Sequence, residues 1–267
     1  EMCIRDRPYL LLLLTITFWC GNFVVGEVTT KVLDQPVPPV QLAFVRWACA
    51  ALVLLPFAWR GLRREAAAIR AHAGALWIIG VSAYAFYNTC IYLALSQEEA
   101  DATSLATLQT IFPAVVALLA LLIFGTRLTT LNVLGIALAI LGGVVATTRG
   151  DWRTLGQIDL GAAEGWALAA VLAYAAYTVL LRLRPAGISS APFLWLLIVA
   201  GLTILGPWWL WDMLVTGHSF PVTAPSLAAL AYLMIFPSLI SALCYNRAVQ
   251  LMGPSVPSLA INLMPFG

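Results

Sequence analysis

ATSLATLQTIFPAVVALLALLIF, residues Ala102 to Phe124, is an apolar segment that also carries small hydroxyl residues, Gln109 and Pro113. A related stretch, SVPSLAINLMPFG, runs from Ser255 to Gly267. A membrane helix with a carboxamide and a proline, occurring twice, points to a duplicated pore-lining element. The 267 residues are 62% hydrophobic and 10% charged, against a makeup of about half apolar and a quarter charged in soluble domains. The chain therefore reads as an integral membrane protein. Apolar runs of about 20 residues match the ~30 Å hydrocarbon core crossed by helices, whereas membrane barrels use ~10-residue alternating strands. The fold class is all-α.

Spans are expected near 9 to 26, 39 to 59, 74 to 96, 102 to 124, 128 to 148, 160 to 182, 190 to 214 and 226 to 250, with a ninth from about 255. The first resembles a signal peptide at its start, where Arg5 and Arg7 precede Leu10 to Leu14, but it continues to Val25 without a small-residue cleavage site. It is kept as a spanning helix, and the leading EMCIRDR is assigned no function. Alternating the spans puts Arg5, Arg7, Arg60, Arg63, Arg64, Arg70, Arg127, Arg182, Arg184 and Arg247 on one side and Lys31, Arg149 and Arg153 on the other. The positive-inside rule then makes the N-terminus cytoplasmic and the location the cytoplasmic (inner) membrane.

Internal spacing supplies the architecture. Pro39 and Pro192, and Tyr92 and Tyr245, are each 153 residues apart; Pro113 and Pro265 are 152 apart, and Trp19 and Tyr174 are 155 apart. Near-equal offsets imply a five-helix unit used twice, 9–148 and 160–267. Five is odd, so the second copy enters from the opposite side, giving two inverted repeats. The fifth span carried forward by 152 predicts a tenth helix near 280 to 300, so ten helices are expected in the whole protein.

The elements Trp19-x-Gly21-Asn22-Phe23, a Pro39-led second span with internal Arg46, Tyr92 to Leu95, Ser104-Leu-Ala to Pro113, and Ser258-Leu-Ala to Pro265 resemble the EamA-type transporters of the drug/metabolite transporter superfamily. The resemblance runs from Leu10 to Gly267, with Cys20 standing where the family's pattern has glycine. It implies a ten-helix carrier of small metabolites, often amino acids, whose cavity is lined by the first, third, fourth, sixth, eighth and ninth helices.

Polar and aromatic residues share single helical faces in those spans, as a solute path through lipid requires. Thr15, Trp19, Asn22 and Gly26 are spaced i, i+4, i+7, i+11; Tyr84, Tyr87, Asn88 and Tyr92 are spaced i, i+3, i+4, i+8. Tyr174 and Tyr177 are i, i+3, and Ser238, Ser241 and Tyr245 are i, i+3, i+7 beside Asn246. The candidate substrate-binding residues are Trp19, Asn22, Arg46, Tyr84, Tyr87, Asn88, Gln109, Tyr174, Tyr177, Ser241, Tyr245 and Asn262. Interfacial belts for tyrosine and interhelical hydrogen bonds for asparagine are the plainer alternatives. Arg46, the only cation well inside a span, is open to two roles: snorkelling outward from the outer third, or attracting a substrate carboxylate. Pro113, Pro265 and Pro237 lack N–H groups and so are expected to free the Gln109, Ile261 and Leu233 carbonyls for a solute or a bend.

The remaining features read as structural. Glu98, Glu99 and Asp101 form a solvated loop with Asp101 capping the fourth helix. His72 and His218 are solvated loop residues, and Gly135, Ala139 and Gly143 make a small-residue packing face. The five cysteines lack metal-ligand spacing and read as small lipid- or core-facing residues. No catalytic group, metal site or cofactor is assigned, and no basic patch suggests nucleic acid. The expected function is a secondary transporter, read as an exporter, moving a small molecule across the bilayer by alternating access. Proton coupling or facilitated diffusion, and monomer or homodimer, stay open. A polytopic enzyme on lipid-linked substrates is the alternative, disfavoured because titratable groups do not cluster at one depth; a receptor-like protein is a third.

Overall fold

The structure is a computed structural model that describes residues 2–98, 100, 105, 108–126, 130–148, 161–253, 255–261 and 263. Among them there is no strand, and six helices are long and apolar enough to cross a membrane. They are α1 (Pro8–Val32), α2 (Pro39–Arg64), α3 (Ala73–Leu95), α6 (Ala162–Leu183), α7 (Ser190–Thr216) and α8 (Ala224–Met252). At 1.5 Å per residue their 22 to 29 residues reach ~33 Å or more, enough for the hydrocarbon layer with some tilt. Shorter helices are α4 (Phe112–Phe124), α5 (Thr130–Thr148) and α9 (Ser255–Ala260). The chain is an all-α polytopic membrane protein. α1 begins earlier than the sequence suggests, its first α-helical stretch running Met2–Glu27 through Pro8.

α3 is the central helix: 78% of its apolar window is buried, against 33 to 50% in the other five long helices. It packs against α6, α7 and α2, while α1 lies along α8, α7 along α2, and α9 against α4 and α8. Two glycines permit the tightest of these contacts. A Cβ on Gly80 would lie 2.4 Å from the Leu197 carbonyl oxygen, and one on Gly201 would lie 2.6 Å from Tyr84 Cβ. Backbone thus meets α3 at both points, and no side chain can give way.

α3 and α8 each contain a π-helical stretch, Val81–Tyr87 and Met234–Ile240, which lie 153 residues apart. A π turn widens the helix by one residue and rotates the side chains on its C-terminal side relative to those before it. In α8 it accommodates Pro237, and the Leu233 carbonyl accepts from Ser238 Oγ at 2.6 Å. Pro113 is not mid-helix either. A 3₁₀ turn, Gln109–Ile111, precedes it, the proline sits in the first turn of α4 where its missing N–H costs nothing, and Phe112 N–H donates to the Gln109 carbonyl. The expected free carbonyls at Gln109 and Leu233 are therefore occupied; the third, at Ile261, depended on Pro265, which lies outside the described residues, as do Glu99, Asp101 and Asn262.

Both histidines are exposed and lie outside the helices, and each has a polar neighbour. His72 Nδ1 lies 2.9 Å from the Ala68 carbonyl oxygen beside the short helix Ala66–Ala71. His218 pairs with Asp212 at 2.9 Å, and that carboxylate is buried, also accepting from Gln41 Nε2 at 3.0 Å and Thr216 Oγ1 at 3.1 Å. On the small-residue face of α5, nothing lies within 4 Å of a Cβ on Gly135.

Gly80→Ala and Gly201→Ala each are expected to lower the thermal midpoint of the detergent-purified protein by an amount equivalent to about 1–3 kcal/mol of overpacking. Gly165→Ala, where nothing lies within 4 Å, should leave it unchanged or raise it. Equal midpoints for all three would contradict the α3–α7 contact.

Candidate functional site

Arg46 lies seven residues into α2 and is 2% exposed, so it does not snorkel. Its Nε donates to Ser238 Oγ, and its Nη1 is shared among Asn22 Oδ1 at 2.8 Å, Asn88 Oδ1 at 3.2 Å and the Tyr92 hydroxyl. The Tyr92 hydroxyl donates onward to Asn22 Oδ1 at 3.1 Å. Helices α1, α3 and α8 thus meet α2 at a single guanidinium. The π turn of α8 sets Ser238, which comes directly after Pro237, against Arg46, and the turn in α3 ends where Asn88 begins the next stretch. Gly26 admits Tyr92: a Cβ there would lie 3.1 Å from its ring.

All of those partners are neutral. Among the described residues no carboxylate lies within ion-pair distance of Arg46, so there its charge meets dipoles and rings only. Its Cζ sits 4.8 Å from the Trp47 ring centroid and 5.8 Å from that of Tyr92. Hydrogen bonds to a charged group contribute ~1.5–3 kcal/mol each, which offsets a desolvation cost of several kcal/mol without neutralising the charge.

Beside Arg46 lies a cavity of ≈ 30 Å³, room for about two waters, lined by Trp19, Asn22, Arg46, Trp47, Ala83, Tyr84, Tyr87, Asn88, Tyr174, Pro237 and Ala242. Its wall is aromatic. Tyr174 is the hub, 4.4 Å centroid to centroid from Tyr87, 5.1 Å from Tyr177, 5.4 Å from Trp19 and 5.7 Å from both Tyr245 and Phe112. Trp47 meets Tyr84 edge-on at 4.7 Å. A second hollow of ≈ 730 Å³ opens at the arginine-rich end of the helices, among Arg182, Arg184, Arg247, Ser189, Ser190 and Gln250. Burial lowers the Arg184 pKa from its ordinary value, and the nearby Arg247 adds to that.

Of the residues singled out in the sequence, Trp19, Asn22, Arg46, Tyr84, Tyr87, Asn88 and Tyr174 line the central cavity together. Tyr177 and Tyr245 stand behind it, bonded to Asn246 Oδ1 and, at 3.0 Å, to Thr178 Oγ1. Ser241 Oγ donates to the Phe236 carbonyl at 3.0 Å and Thr15 Oγ1 to those of Leu11 at 2.8 Å and Ser241 at 3.4 Å, and neither residue lines the cavity. Gln109 is buried apart from the lining, its Nε2 without a hydrogen-bond partner among the described residues.

A family model described as the EamA-like transporter family matches residues 6–148, more than half of the chain. The chain belongs to that family. Comparison with curated proteins finds no match. Membership makes this EamA-like chain a membrane transporter in its broad class. Trp47, Tyr92 and Ser238 were not among the residues nominated from the sequence. Tyr92 and Ser238 do share helical faces with nominated residues, but Trp47, next to Arg46, falls on no polar face.

Tyr92→Phe should cost ~1.5–3 kcal/mol of stability, because its hydroxyl bridges Arg46 and Asn22. Asn22→Ala should cost less in the Tyr92→Phe background than alone, since both side chains serve the same guanidinium. Additive losses in a double-mutant cycle by denaturant unfolding would contradict the shared network.

Proposed function

We propose that this chain is a secondary transporter of small amphipathic metabolites in the cytoplasmic membrane, working by alternating access with the N-terminus cytoplasmic. The observation that carries the proposal is the cavity itself: side chains from α1, α2, α3, α6 and α8 converge on a small space holding a guanidinium that has no carboxylate partner among the described residues. Asn22, Tyr84 and Tyr174 fall near the middles of their spans, where a polar group is expensive and persists for a solute or for packing. With room for about two waters, the cavity suits an occluded state that must open to one side at a time.

The two halves, 9–148 and 160–267, are proposed to be inverted repeats that rock against each other. Support comes from the π turns 153 residues apart in α3 and α8, the same interval that separates Pro39 from Pro192 and Tyr92 from Tyr245. Reciprocal packing adds to it, with α1 on α8 and α6 on α3. The arginine-rich hollow serves in this scheme as the cytoplasmic vestibule, and export is the proposed direction.

The test is flux of amino acids and other metabolites into proteoliposomes, with and without a pH gradient. Asn88→Ala and Tyr174→Ala are expected to reduce flux at least tenfold for any solute the unaltered protein carries. A cysteine at position 88, in a cysteine-free background, should react with a membrane-impermeant thiol reagent in turn from each side. Normal flux in both variants, or no labelling at position 88, would overturn the site.

A further inference from the structure

Two observations at the central cavity say more about its ligand. Arg46 brings one positive charge, and no lining residue among the described ones is a carboxylate. Trp47 lines the same cavity, is 2% exposed, and its Nε1–H is buried without a hydrogen-bond partner among the described residues. A buried N–H with no acceptor costs ~1–3 kcal/mol, and so marks a place where an acceptor atom of something else would be stabilised. Arg46 Nη2 likewise donates to none of the described residues, its hydrogen bonds running through Nε and Nη1.

Resting on the transporter reading above, we infer that the solute is an organic monocarboxylate, its oxygens taken by the Arg46 guanidinium and the Trp47 indole N–H and its apolar body by the rings of Trp19, Tyr87 and Tyr174. Charge decides the class. A monoanion neutralises the single buried cation on arrival, which removes most of the cost of holding that cation away from water. A zwitterion such as an amino acid leaves the net charge of the site where it was, and its ammonium meets no carboxylate. A dianion overshoots and leaves one negative charge in a low-dielectric space. One carboxylate oxygen can be taken by Arg46 Nη2 without the neutral partners leaving, since they engage only Nε and Nη1, while the other oxygen is left for the Trp47 N–H.

The hydrogen bonds that hold Arg46 at the cavity fit the same role. Asn22, Asn88, Tyr92 and Ser238 fix the guanidinium in place, so that binding costs little in side-chain ordering. The aromatic wall has to part for the body of the solute, because ≈ 30 Å³ admits no metabolite. Offset and edge-to-face ring contacts of ~0.5–1.5 kcal/mol each are weak enough to break and re-form around a flat apolar group.

The experiment uses the purified protein in nanodiscs and proteoliposomes with four probes sharing one body: 3-phenylpropanoate, 3-phenylpropanamide, phenylalanine and phenylsuccinate. The expected result is a thermal shift and flux with 3-phenylpropanoate, and at least tenfold weaker effects with the neutral, zwitterionic and dianionic probes. Arg46→Gln should abolish the 3-phenylpropanoate shift. Because Arg46 joins several helices, Trp47→Phe is the second variant: it keeps the ring, and should weaken 3-phenylpropanoate binding roughly tenfold or more, as loss of a hydrogen bond to a charged group does, and any binding of the amide, whose carbonyl is a neutral acceptor, by less. A shift with 3-phenylpropanoate that depends on Arg46 but comes without flux would uphold the anion site and sink the transporter reading. Flux of the amide or of phenylalanine matching that of 3-phenylpropanoate would leave the transporter standing and overturn the charge preference. No 3-phenylpropanoate shift at all, or undiminished binding in Trp47→Phe, overturns the assignment.

Discussion

A guanidinium with no carboxylate partner among the described residues, buried among membrane-spanning helices, is the constraint on which the rest of this structure depends. Lipid offers it no hydrogen-bond acceptors, so its Nε and Nη1 donors depend on acceptors from the protein. Arg46 finds them in Asn22 of α1, Asn88 and Tyr92 of α3 and Ser238 of α8. Their convergence orients three helices around α2, and the space left beside the junction is the cavity. In a bilayer there is little hydrophobic drive to bring helices together, so such polar junctions and close small-residue contacts carry more of the specificity than they do in soluble proteins.

Close contact and irregular backbone cooperate in making that junction. Gly80 and Gly201 let α3 and α7 touch backbone to backbone, which places Tyr84 beside Trp47 and leaves α3 the most enclosed of the long helices. Gly26 does the same for α1 and Tyr92. The π turns re-aim two of the Arg46 partners, Asn88 just past the turn of α3 and Ser238 within the turn of α8. Prolines that look like kinks in the sequence are absorbed: Pro113 in a first helical turn and Pro237 in a π turn whose Leu233 carbonyl is met by Ser238.

The aromatic cluster and the cation divide the cavity's chemistry between them. Tyr174 touches rings from α1, α3, α4 and α8 as well as its own helix, giving a surface that is apolar on its faces and that many flat solutes suit. Arg46 and Trp47 add donors in one corner. Under the proposed transport role, such a mixed lining orients an amphipathic molecule rather than merely admitting it.

Much of this was legible in the residues. Composition and run length dictate membrane helices, and 3.6-residue spacing groups Trp19 with Asn22 and Tyr84 with Tyr87 and Asn88, because same-face residues must meet the same surroundings. Arg46 stands out as a cation inside a span, for the energetic reason that such residues are rare. Periodicity within one helix cannot tell which side chains of different helices meet, nor whether a serine or threonine turns inward or bonds its own backbone, as Ser241 and Thr15 do. Nor can it place Trp47, which reaches the cavity beside Arg46 instead of on a polar stripe. What the sequence by itself determined is an all-α membrane protein with polar faces on particular helices. Only the tertiary structure decided that those faces close around one unneutralised charge, because that depends on contacts between residues up to 192 positions apart in the chain.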